Sequence, residues 1–208
     1  MTSKNSFPDN AEEINLDFYN KNADFIYKQF RNLDKYIICN KFLGYLPQKA
    51  HILDLGCGVG TYTKHFLEKG HQVTAIDGSQ ELVKYARQYT NHPIFLMKFN
   101  ELQFKNEFDG IWAAASLLHI NRKDFPVLLR DHILPFLKCK GFLYMSFKYG
   151  NGENFFNGRY FCDYNEKSLR DVVKNFNNLK IIETCKTENK LSEDKTIAWF
   201  HCIIQKVK

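Results

Sequence analysis

The sequence predicts an α/β fold, a mostly parallel sheet with helices on both faces. Three observations carry that expectation. Short strands alternate with segments of helical apolar spacing between residues 51 and 148. The strands are apolar at consecutive positions, as in sheets buried on both faces. A glycine-rich turn, Gly56-Cys57-Gly58-Val59-Gly60, joins one such strand to the helix after it.

The elements follow in order. Residues 1–10 are polar and are expected to be disordered. Apolar residues from Leu16 to Leu46 recur at helical spacing, which predicts two helices broken near Asn32 and ended by Pro47. Residues 51–55 form the first strand, and a helix runs from Thr61 to Lys69 and stops at Gly70. Strand two is Gln72 to Ile76, ending at Asp77. Ser79 is the expected N-cap of a helix reaching about Tyr89. Strand three is Ile94 to Lys98, and strand four is Phe108 to Ala113. A helix covers roughly Asp124 to Leu137, and strand five is Phe142 to Lys148. A loop rich in Gly, Asn and aromatics spans 149–164. A helix over 166–175 follows, then two strands, 179–184 and 196–205, joined by a hairpin loop over 186–195. A single domain over residues 1–208 is expected, with 1–48 as a helical lid and 49–208 as the core.

Composition narrows the functional class. The 208 residues carry 29 Lys+Arg against 23 Asp+Glu, a net charge of +6. Twenty-three of those cations are lysines spread along the chain, whereas a nucleic-acid footprint would be clustered. The longest near-apolar run, Ile111 to Ile120, is far short of the roughly 20 residues a spanning helix needs. The polar start has no signal-peptide core. Six scattered cysteines without a Cys-x-x-Cys pair read as reduced cytoplasmic thiols, and no histidine pair has metal-ligand spacing.

The glycine turn is the most informative segment. A dinucleotide fingerprint would place Gly or Ala where this chain has Thr61. Instead Gly60 follows Gly58 at two-residue spacing, and Asp54 precedes Gly56 by two. An anion would be a poor neighbour for Asp54, whereas a cationic ligand group would suit it. Asp77, 21 residues after Gly56, ends strand two, where an acid can accept from both hydroxyls of a ribose. A ligand with an adenosine ribose and an amino-acid end, but no phosphate, satisfies both acids. S-adenosylmethionine is such a ligand.

On Ile52 to Gly60, Val73 to Ser79, Phe108 to Trp112 and Leu143 to Gly150 the sequence resembles the class I S-adenosylmethionine-dependent methyltransferases. Tyr19 to Ala23, Ala115 to Ile120 and Gly158 to Phe161 look most like the small bacterial tellurite-resistance-type enzymes. The resemblance implies a Rossmann-like seven-stranded sheet of order 3-2-1-4-5-7-6, the last strand antiparallel. It implies that Asp54, Gly56, Cys57, Gly58 and Gly60 surround the methionine end of the cofactor. Asp77 would hold the ribose with Gly78 and Ser79 beneath it. Phe99 and Asn100 would lie against adenine, and Ala114 and Ala115 would wall the site. Two positions depart from the pattern. Lys98 stands where relatives usually carry Asp, and Lys has no acceptor for an adenine amino group. Glu193-Asp194-Lys195-Thr196 replaces an Arg-Pro motif.

Methyl transfer from a sulfonium needs alignment and exclusion of water more than covalent help, and no metal. His119, after strand four, is the candidate base. Tyr19 is placed to cover the methyl group. Arg159 and Tyr160, after strand five, are placed to meet an anionic small-molecule acceptor. Cys57 reads as a space-filler and not a nucleophile. Two rival readings remain: an RNA-modifying methyltransferase, and a non-catalytic cofactor-binding module. The Asn/Asp-Pro-Pro-Tyr/Phe and Pro-Cys signatures of two nucleic-acid classes are absent.

Overall fold

The computed structural model describes residues 10–31, 37–105, 107–192 and 195–208. The first three helices among the described residues are α1 (Ala11–Lys21), α2 (Ala23–Phe30) and α3 (Ile37–Leu43). The break between α1 and α2 falls at Asn22, whose side-chain amide donates to the Phe18 carbonyl at 2.8 Å and so competes with helix continuation. Asn32, where the sequence predicts the break, lies outside the described residues, as do Glu193 and Asp194.

The strands β1 (His51–Leu55), β2 (Gln72–Asp77), β3 (Ile94–Leu96) and β4 (Phe108–Ala113) alternate with α4 (Thr61–Glu68) and α5 (Gln80–Thr90). They continue into β5 (Leu137–Lys148), and all five pair in parallel. A hairpin of β6 (Glu153–Phe156) and β7 (Arg159–Cys162) follows, then helix α7 (Glu166–Val173), with a short α6 (Phe125–Leu128) earlier. The last strands, β8 (Leu179–Ser192) and β9 (Lys195–Lys206), complete a seven-stranded sheet of order 3-2-1-4-5-9-8. This is the expected order once the extra hairpin is counted, and β9 runs antiparallel to both neighbours.

Each face of the sheet has its own packed layer. On one, Phe42 of α3 and Phe66 of α4 pack on Trp112, which stacks on Tyr144 at 3.7 Å between ring centroids. On the other, Phe125, Leu129 and Ile133 lie with Leu169 and Tyr164 in one buried cluster. These layers bury the consecutive apolar positions of the strands, which is why the strands read as continuous runs.

Four expected elements are corrected. The helix over 124–137 is α-helical only to Leu128, continues as a π-turn over Leu129–Ile133 and ends in a 3-10 turn. Pro135 accounts for the ending, since it has no N–H to donate back along a helix. Strand three stops at Leu96, because the Lys98 amide donates to the Glu101 carboxylate at 2.9 Å instead of a neighbouring strand. The loop over 149–164 contains the β6–β7 hairpin, turned by Asn157 and Gly158, both at positive φ. The stretch 186–195 is largely strand, so β8 and β9 form one long ribbon.

Candidate active site

The carboxyl ends of β1 and β2 hold the two acids. Gly56, Gly58 and Gly60 all take positive φ, which swings the chain from β1 into α4 within one turn. At Gly56 a Cβ would lie 2.5 Å from Cβ of Ser116, so the loop after β4 packs directly on the glycine turn. At Gly58 a Cβ would meet nothing within 4 Å among the described residues, so this glycine faces open space.

Asp77 accepts from the backbone N–H of Gly58 and of Ser79, each at 2.8 Å. Its carboxylate therefore ties the glycine turn to the start of α5. Burial raises its pKa, and those two N–H bonds oppose the rise. Asp54 is almost wholly buried and accepts from the Thr63 hydroxyl at 2.6 Å. Burial pushes its pKa up to about 7 against that bond. Burial also drives the Cys57 thiol well above its usual range, which disfavours the thiolate.

One face of α1 lies along these strand ends. Leu16 packs on Gly78, where an added Cβ would sit 2.8 Å from its Cδ2. Asn20 accepts from the Ser79 hydroxyl at 2.7 Å and from the Glu81 amide at 3.2 Å. Asn15 clamps the backbone of β7, accepting from Tyr160 N–H at 2.8 Å and donating to its carbonyl at 3.1 Å.

The same helix brings Tyr19 to His119. The Tyr19 hydroxyl lies 2.8 Å from His119 Nε2, and His119 Nδ1 lies 2.9 Å from the Tyr160 carbonyl oxygen. A carbonyl can only accept, so Nδ1 carries the proton and Nε2 accepts from Tyr19. Burial lowers the His119 pKa to about 4, opposed by the bond to Tyr160 and helped by the cations Arg159 and Lys148. Burial raises the Tyr19 pKa, opposed by Arg159. At neutral pH the pair is therefore an uncharged phenol donating to an uncharged imidazole.

Arg159 extends this chain. Its Nη1 lies 3.4 Å from the Tyr19 oxygen, and its guanidinium lies 4.6 Å from the Phe18 ring centroid and 5.1 Å from that of Phe161. Its Nε is buried with no hydrogen-bond partner among the described residues. Lys148 Nζ sits over the other aromatic of this wall, 3.3 Å from the Phe161 centroid.

The structure thus brings His119, Tyr19 and Arg159 together. Tyr160 joins them through its backbone alone. Its phenol donates to Glu153, and its side chain leaves the opposite face of β7 from Arg159. Phe99 reaches the glycine turn, 3.3 Å from the Cβ position of Gly56, while Asn100 is exposed. Ala114 and Ala115 follow β4. Ala115 has φ +51°, and its N–H donates to Ser146 at 2.8 Å. Asn15, Asn20 and Thr63 bond to the candidate site residues or to their backbone, and sequence reasoning missed them. Polar residues on a buried helical face leave no trace in apolar periodicity.

Residues 52–141 match the family model described as a methyltransferase domain. A putative methyltransferase of Bacillus subtilis, YqeM, is 32% identical over 104 residues, which is 47% of this chain and 42% of the relative. The chain spans less than half the length of the first curated relatives it matches. The crystal structure of Burkholderia thailandensis 1,6-didemethyltoxoflavin-N1-methyltransferase, with bound 1,6-didemethyltoxoflavin and S-adenosylhomocysteine, aligns with 100% of this chain and 94% of its own, at TM-score 0.77 and 18% identity. A TehB-like S-adenosylmethionine-dependent methyltransferase from Corynebacterium glutamicum aligns with 89% of this chain and 98% of its own, at TM-score 0.68 and 18% identity.

Proposed function

We propose that this chain, which carries a methyltransferase domain in the class I S-adenosylmethionine-dependent fold, methylates a small-molecule acceptor in line and without a metal. The observation that carries the reading is the relay from Arg159 through Tyr19 and His119 to the Tyr160 carbonyl. It stands close enough to Asp77 for that carboxylate to act on the Tyr19 hydroxyl.

The residues present fit the cofactor. Asp77 is a buried carboxylate at the end of β2, where ribose hydroxyls can donate to it. Gly58 leaves open space for close approach to the backbone. Asp54 is a desolvated acid beside the turn, and a neighbouring ammonium group would favour its charged form. When bound, S-adenosylmethionine supplies an electrophilic methyl group.

The chain's own residues handle the acceptor. Tyr19 donates to His119, and beyond the lone pair facing Arg159 it keeps one to accept from an acceptor N–H or O–H. His119, with a pKa of about 4, is a weak base. It takes a proton readily only from a group that becomes strongly acidic as its heteroatom is alkylated, such as a hydroxyl. Arg159, whose guanidinium reaches the Tyr19 oxygen, is the cation placed to hold an anionic part of the acceptor. The 1,6-didemethyltoxoflavin bound in the structural neighbour supports a small-molecule acceptor. Six free cysteines support a reducing, cytoplasmic setting.

Calorimetry with S-adenosylhomocysteine, then transfer of a labelled methyl group to a panel of small hydroxyl and nitrogen acceptors with and without EDTA, tests the reading. Binding and EDTA-insensitive transfer to a small acceptor are expected. No binding of S-adenosylhomocysteine, or transfer to RNA alone, would overturn it.

A further inference from the structure

The positions of the two site halves fix the direction in which the cofactor must lie. Asp77 marks the ribose at the end of β2. The Tyr19–His119 pair stands on the β4 side, beyond β1 in the sheet order. The methyl-bearing end must therefore extend across the glycine turn toward β4. The base, at the other end of the ribose, falls on the β3 side. There the exocyclic amino group of adenine needs an acceptor, because a buried amine without one costs binding.

The residues at the end of β3 supply little. Lys98 has only donors. Glu101 already accepts from the Lys98 amide at 2.9 Å, and Asn100 is exposed. The lid helix does supply an acceptor. On α1, Glu12, Leu16 and Asn20 follow at intervals of four residues and so share a face. Leu16 lies on Gly78, and Asn20 lies on Ser79. One turn before Leu16, that face carries Glu12 to Lys98 and Glu101, close enough for both charges to act on it. Glu12 is partly buried, and its carboxylate has no hydrogen-bond or ion-pair partner among the described residues.

We propose that Glu12 accepts the hydrogen bond from the adenine amino group, so that α1 completes the cofactor site where the strand itself offers Lys98. The Lys98 cation then serves to hold the Glu12 carboxylate at the end of β3. The proposal rests on the S-adenosylmethionine reading above.

The test is calorimetric titration with S-adenosylhomocysteine and with S-inosylhomocysteine, in which a carbonyl replaces the amino group. The wild-type chain is expected to prefer the adenine compound by about tenfold to hundredfold, the usual range for a hydrogen bond to a charged group. Glu12→Ala is expected to lose that preference, with adenine affinity falling to the inosine level. Glu12→Gln, whose amide both accepts and donates, is expected to bind the inosine compound more tightly than wild type does. Glu13→Ala, at an exposed neighbour, leaves both affinities unchanged, and thermal melts confirm that each variant is folded. A preference that survives Glu12→Ala overturns the proposal, as does one that disappears only in Glu101→Gln. A wild-type chain that binds neither compound overturns the cofactor reading itself.

Discussion

The two halves of the site are built by opposite means. Apart from the contacts α1 makes at Gly78 and Ser79 and the one proposed for Glu12, the cofactor half is local: Asp54 and the glycine turn lie within seven residues, and Asp77 bonds to Gly58 and Ser79, 19 and 2 residues away. The acceptor half is assembled from distant pieces. Tyr19 meets His119 across 100 residues, Arg159 meets Tyr19 across 140, and Asn15 clamps Tyr160 across 145. A strand–turn–helix unit can hold a ligand with its own backbone. The Tyr19–His119 pair exists only when α1 is docked on the sheet. The halves should therefore fail differently when cut.

The largest effect belongs to the local half. Asp77→Ala removes the proposed ribose acceptor and frees the two backbone N–H groups it holds. Calorimetry should show S-adenosylhomocysteine binding weakened by about a thousandfold, the sum expected for two charge-assisted hydrogen bonds. Near-normal binding by this variant would dissolve the contrast between the halves. His119→Ala should spare that affinity and lower kcat by about a hundredfold, within the range of lost acid–base assistance. If it instead weakens cofactor binding as much as Asp77→Ala does, the acceptor half is not a separate unit.

The same contrast explains what is legible in the sequence. Asp54, Gly56, Gly58, Gly60 and Asp77 can be read because their spacing is the geometry: each is fixed by the strand or turn that carries it. His119, Tyr19 and Arg159 are legible as candidates, yet nothing in the chain states that they touch. Tyr160 reads as a site side chain as long as its segment is taken for a loop and not a hairpin. In a strand, alternate residues face opposite ways, so Arg159 and Tyr160 cannot both face the site. The signal is present in Asn157-Gly158, a dipeptide suited to a two-residue turn at positive φ. The stretch 186–189 reads as a loop because its side chains are polar on both faces. In the structure its exposure alternates as a strand requires.

The smallest effect gives the sharpest separation, because the halves carry opposite pH signatures in stability. His119 has a folded pKa of about 4, below the roughly 6.5 of an unfolded histidine. Between those values the unfolded chain binds more protons, so this group's contribution falls as pH drops from 6.5 to 4. Asp54 has a folded pKa of about 7, above the roughly 3.9 of an unfolded aspartate. Between those values the folded chain binds more protons, so its contribution falls as pH rises from 4 to 7. Each slope approaches about 1.4 kcal/mol per pH unit, or a few degrees of Tm for a chain of this size. Asp54→Asn, whose amide oxygen still accepts from Thr63, should therefore gain Tm relative to wild type as pH rises through this window. His119→Gln, whose amide oxygen can accept from Tyr19, should gain relative Tm as pH falls. Melting curves at half-unit steps from pH 4 to 8 read both differences. Parallel shifts of the same sign would mean that the buried acid and the buried imidazole do not titrate as the geometry around them requires.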